Sequence, residues 1–139
     1  MELLLSVEPT QRSIHFVDQT ITTFTETYEI PNKREICFVI HELVINAVEA
    51  MQQMQFTEVK EIIVHVIKDA DVLKVTVIDE AMGIPEEKWS RILETNFEEL
   101  DYSDRGRGFL FIKHMVDEIW FENLSNNRFL VGIKKVMNK

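Results

Sequence analysis

Phe38-Val39-Ile40-His41-Glu42-Leu43-Val44-Ile45-Asn46-Ala47-Val48-Glu49-Ala50-Met51-Gln52-Gln53-Met54 is the stretch on which the reading of this chain turns. With Ile36 just ahead of it, Val39, Ile40, Leu43, Val44, Ala47, Ala50, Met51 and Met54 recur at intervals of three and four. That spacing predicts a long helix with a wide apolar face. Glu42 and Asn46 are four residues apart, so they stack one turn apart at the edge of that face. A carboxylate and a carboxamide so placed can look into a cleft together. The same spacing also suits a solvated helix flank, and only the rest of the chain separates the two readings.

Upstream, Leu3 to Val7 is a short apolar run before Glu8-Pro9, read as an edge strand. Thr10 to Tyr28 carries Ile14, Val17, Ile21, Phe24 and Tyr28 at helical intervals and predicts a first amphipathic helix, although its threonines are indifferent helix formers. Pro31-Asn32 breaks the chain, and Asn32 is placed to cap the central helix. Downstream, Glu61 to Lys68 and Val72 to Asp79 read as a hairpin around Asp69-Ala70-Asp71. In its second strand Leu73, Val75 and Val77 alternate with Lys74 and Thr76, so one face is buried and the other wetter. Pro85-Glu86-Glu87 opens a helix running to about Glu94. Thr95 to Arg105 is a polar, acidic loop. Gly106-Arg107-Gly108 opens another helix, with Leu110, Ile112, Met115, Val116 and Ile119 as its apolar positions. Glu118 to Leu124 and Arg128 to Val136 close the chain as two strands about Ser125-Asn126-Asn127. Residues 1–139 are expected to form a single α+β domain. Its economical packing is a two-layer α/β sandwich, with helices on one face of a mixed, mainly antiparallel sheet.

Composition narrows the function. The 139 residues include 24 acidic and 15 basic ones, a formal net charge of -9. No basic stripe is present to neutralise nucleic-acid phosphates or to hold an anionic membrane surface. No apolar run is long enough to span a bilayer, and Met1-Glu2-Leu3-Leu4-Leu5 lacks the basic start of a signal peptide. The single cysteine, Cys37, forms no internal disulfide and is expected to pack as a small apolar group. The expected compartment is the cytoplasm. His15, His41, His65 and His114 have no metal-ligand spacing, and His41 is expected to be structural. No order of serine, histidine and aspartate, and no cysteine-histidine pair, points to nucleophilic catalysis.

Three stations carry candidate chemistry. Glu42 and Asn46 form the first: amide and carboxylate oxygens with bound waters suit Mg²⁺, and a nearby carboxylate can take a proton from an attacking hydroxyl. The second is Asp79 at a strand end, followed by Gly83. Asp79 can accept from an exocyclic amine while Gly83 lets a flat ring approach the backbone; equally, Asp79 can cap the following turn. The third is Gly106-Arg107-Gly108 at a helix start. Unpaired N–H groups and the helix dipole favour an anion there, and Arg105, Arg107 and Lys113 add positive charge. A tight turn into a helix is the plainer reading of that last station.

Taken in order, E-x-x-x-N on a helix, then D-x-x-x-G after a strand, then G-x-G at a helix start, resemble the Bergerat-type ATP-binding fold of sensor histidine kinases, gyrase and the large heat-shock chaperones. By size and layout the chain is most similar to the stand-alone bacterial anti-sigma factor serine kinases. The resemblance implies ATP and Mg²⁺ as cofactors. Asn46 would hold the metal, Glu42 would be the base, and Asp79 with Gly83 would take the adenine. Gly106 and Gly108 would wrap the phosphates, and residues 95–105 would form the lid. It also implies a homodimer whose partners are a sigma factor and a small antagonist protein carrying the phosphoacceptor serine or threonine. Phe38 and Ile45, outside the main apolar stripe, would suit the second buried face. Ala81 departs from the pattern D-x-G-x-G. A methyl group where positive φ is favoured is expected to cost about 1 kcal/mol of nucleotide affinity. That departure keeps open a rival, a non-catalytic binding module of the same fold.

Overall fold

The computed structural model describes residues 1–54, 60–81, 83–94 and 106–137. The elements run β1 (Glu2–Val7), α1 (Gln11–Thr27), α2 (Lys33–Gln52), β2 (Ile62–Asp69), β3 (Val72–Asp79), a short 3-10 turn (Glu86–Lys88), α3 (Trp89–Glu94), α4 (Gly106–Met115), β4 (Glu118–Leu124) and β5 (Arg128–Val136). The strands form one sheet in the order β1-β2-β3-β5-β4. All four ladders are antiparallel. β1 is an edge strand, as its short run before Pro9 implied.

Packing decides the helices. Ile36, Val39, Ile40, Leu43, Val44, Ala47, Val48 and Met51 of α2 are all buried. Five of them are β-branched, each costing a few tenths of a kcal/mol in helix propensity, but burying such a side chain returns roughly 1.5–3 kcal/mol. The inward face of the sheet, including Val64, Val66, Leu73, Val75, Val131 and Ile133, meets this stripe and the Val17, Ile21 and Phe24 stripe of α1. Two of the threonines of α1 are accommodated by back-bonding: Thr20 Oγ1 donates to the Phe16 carbonyl at 2.8 Å and Thr25 Oγ1 to that of Thr22 at 2.9 Å. Thr10 caps α1, its Oγ1 accepting from the Ser13 N–H at 3.1 Å.

Several details differ from the sequence-based expectation. Asn32 stands at the N-cap of α2 in the left-handed region (φ 57°), and its side chain makes no capping hydrogen bond. Its role is to turn the backbone after Pro31, which asparagine tolerates better than most residues. Ile119 belongs to β4, not to the preceding helix. α4 ends at Met115, and the Asp117 N–H already pairs with the Lys134 carbonyl at 2.9 Å. His41 is structural: Nδ1 lies 2.8 and 2.9 Å from the two carboxylate oxygens of Asp18, tying α2 to α1. Cys37 is half-buried, with Sγ 3.8 Å from Thr25 Oγ1. Of the two residues assigned to a second face, Phe38 is exposed, whereas Ile45 packs against the core.

Candidate functional site

The outward edge of α2 meets the first turn of α4. A methyl carbon built on Gly108 would stand 3.3 Å from Glu42 Oε2, 3.3 Å from Asn46 Nδ2 and 3.6 Å from Asn46 Oδ1. The first and third stations therefore converge, although 66 residues separate Glu42 from Gly108. Any β-carbon at Gly108 would press on both side chains, so a glycine preserves this notch. The Asn46 amide shows what the notch lacks. Among the described residues, Nδ2 is buried and has no hydrogen-bond partner. Leaving such a donor unpaired costs on the order of 1–3 kcal/mol, so it marks a place where an external group is expected.

This donor set fits a hydrated Mg²⁺ bound to phosphates. That ion keeps several waters and takes one or two protein oxygens, and the Asn46 carboxamide oxygen can supply one while Glu42 stays beside it as the base. Among the described residues no group of three or more histidine, cysteine, aspartate or glutamate side chains could hold a metal by itself. The first turn of α4 faces the same notch, where backbone N–H groups without helical partners suit an anion.

The second station is built differently. Asp79 ends β3 and is 2% exposed. Its Oδ1 accepts from the Ala81 N–H at 3.0 Å, so part of the carboxylate closes the following turn. Ala81 is not among the positive-φ residues, and its methyl group is buried in the core. Alanine is thus accommodated there without the backbone strain its place in the pattern suggested. Gly83 does need to be glycine. Its φ is +76°, and a β-carbon on it would stand 2.7 Å from Phe129 Cγ and Cδ1. Phe129 is the cross-strand partner of Asp79. It was not singled out from the sequence, because only the β3–β5 register brings it to this loop.

The remaining candidates are dispersed. Lys113 Nζ donates to the Leu93 carbonyl at 3.1 Å and so holds α4 to the end of α3. Gly106 begins α4. Arg105 and the lid assigned to residues 95–105 lie outside the described residues, as does the side chain of Arg107.

Comparison with known proteins bears on the family and the fold. Residues 32–135 match the family described as histidine kinase-, DNA gyrase B- and HSP90-like ATPase. No curated protein matches the chain significantly. Among solved structures, the RsbU and RsbW domains of Rv1364c from Mycobacterium tuberculosis superpose with a TM-score of 0.65 at 15% identity, over 97% of this chain and 32% of that one. This chain thus spans about a third of that structure. A nucleotide-free catalytic domain of the histidine kinase ThkA superposes with a TM-score of 0.63 at 18% identity, over 97% of this chain and 98% of that one. A mycobacterial sensor histidine kinase, MprB, gives 0.58 at 12% identity, over 96% and 97%. At these identities the structures share the fold.

Proposed function

The chain belongs to the histidine kinase-, DNA gyrase B- and HSP90-like ATPase family, and from that premise we propose that it is an ATP-binding regulator that phosphorylates a partner protein. In this reading it holds a sigma factor inactive and transfers phosphate to a serine or threonine of a small antagonist. The observation that carries the proposal is the convergence of Glu42, Asn46 and Gly108, with the buried Asn46 Nδ2 left unpaired among the described residues.

Each residue then has a task. Asn46, with water, holds Mg²⁺; when bound, the ion supplies neutralisation of the phosphate charge. The backbone at Gly106 and Gly108 binds the phosphates at the positive end of α4. Glu42 accepts the proton of the attacking hydroxyl. The hydroxyl oxygen bonds to the terminal phosphorus, the bridging P–O bond breaks, and ADP leaves. The protein's contribution is mostly position and charge. A homodimer and a cytoplasmic location are part of the same proposal. Among the described residues no helix is long and apolar enough to cross a membrane.

The test is incubation with ATP labelled at the terminal phosphate and the product of a neighbouring small gene. Label should move to that protein, and Glu42→Ala should abolish transfer while nucleotide binding persists. Transfer at the normal rate by Glu42→Ala would remove Glu42 as the base. A second reading, a switch that docks its partner without catalysis, is favoured by the engagement of Asp79 with its own turn. Calorimetry with ATP and Mg²⁺ separates the two, since absence of heat leaves only docking.

A further inference from the structure

Asp79 and Gly83 are the residues assigned to a purine, yet an aromatic ring of the protein itself already stands against them. Phe129 faces Asp79 across the β3–β5 ladder, so both side chains lie on the inward face of the sheet. Phe129 is 1% exposed and Asp79 is 2% exposed. The Phe129 ring lies so close to Gly83 that even a β-carbon could not fit there. The ring is held from behind. Its centroid is 5.8 Å from that of Phe121 and 6.3 Å from that of Trp89, and Phe121 packs edge-on to Phe109 at 5.2 Å. Trp89 is in turn tied to the same loop, its Nε1–H donating to the Ile84 carbonyl at 2.8 Å.

We infer that Phe129 occupies the base half of the nucleotide site and sets its affinity. This rests on the nucleotide reading above. The two halves of the site differ: the notch at Glu42, Asn46 and Gly108 has an unmet donor, whereas the ring space at Asp79 and Gly83 is filled from within. A flat ligand that stacks on Gly83 while bonding Asp79 meets the benzyl group, so Phe129 must swing away before a purine enters. Apparent affinity falls by the fraction of molecules in which it has done so. Ligands carrying only the phosphates and metal escape that penalty. The chain therefore discriminates weakly between Mg–ADP and Mg–pyrophosphate, because the base adds little.

The experiment is calorimetry of Mg–ADP and Mg–pyrophosphate on the wild type, Phe129→Val and Phe129→Ala, each checked for a cooperative urea transition. Valine suits a strand and keeps part of the packing should the alanine variant fail to fold. Tryptophan emission, read on a Trp120→Phe background so that Trp89 is its source, reports the cluster independently of any activity. The expected result is ADP binding tightened by about tenfold or more, as when the competent conformer is about a tenth of the wild-type population, with pyrophosphate unchanged. ADP should also shift tryptophan emission on that background, with Phe129 in place, as the cluster opens. Equal or weaker ADP binding by folded Phe129→Val would overturn the inference while leaving the nucleotide reading intact. Absence of ADP and pyrophosphate binding in every folded variant would overturn both.

Discussion

Asn46→Ala should make the ligand-free protein more stable. Asn46 Nδ2 is buried without a partner among the described residues, so the wild type carries a desolvation cost of about 1 kcal/mol, at the lower end of the range for such groups. The site is mid-helix in α2, where replacing asparagine by alanine adds roughly 0.6 kcal/mol of propensity. Little apolar area is lost, since the deleted group is an amide. The sum is a gain of about 1–2 kcal/mol, or roughly 3–7 °C in Tm for a domain of this size. Urea unfolding followed by far-UV circular dichroism measures it. Addition of Mg–ADP at about ten times its dissociation constant should then stabilise the wild type by about 1.4 kcal/mol and leave the variant unmoved. The ligand thus nearly closes the gap between the variant and the wild type. A ligand-free variant less stable than the wild type would refute the reasoning, because it would mean that Asn46 is part of the packing and not a group held in reserve.

Three further predictions concern the scaffold. Gly132→Ala should destabilise the protein by about 1–3 kcal/mol and red-shift tryptophan emission, because the new methyl group would lie 2.3 Å from Trp120 Cε2 and Cζ2 and drive the indole off the sheet. Ala70→Gly should stabilise it by roughly 0.5–1 kcal/mol in thermal unfolding: Ala70 sits at φ 51° in the two-residue connection of the β2–β3 hairpin, where glycine is relaxed. Thr10→Ala should cost about 1 kcal/mol in urea unfolding, since it removes the oxygen that accepts from Ser13 at the start of α1.

Local pattern carried most of the architecture. The strands at Val72–Asp79, Glu118–Leu124 and Arg128–Val136 begin and end at the residues where alternation and turn signals place them. α2 was legible because its stripe of buried residues repeats every turn, and burial outweighs the modest propensity cost of its β-branched members. The pairing of Glu42 with Asn46 was legible for the same reason, as it depends only on the helical period.

What the sequence could not decide is what depends on sheet register and on the approach of elements distant in the chain. That Gly108 settles onto Glu42 and Asn46 is a consequence of α4 packing across α2. That Asn46 keeps a buried, unpaired donor follows from the same packing. That Ala81 avoids positive φ depends on the turn after β3, and the placement of Phe129 opposite Asp79 emerges only once β3 and β5 are aligned. Periodicity is local: each residue's face follows from its neighbours along the chain. Register couples two strands about fifty residues apart, and no short-range pattern encodes which side chain will stand across from which.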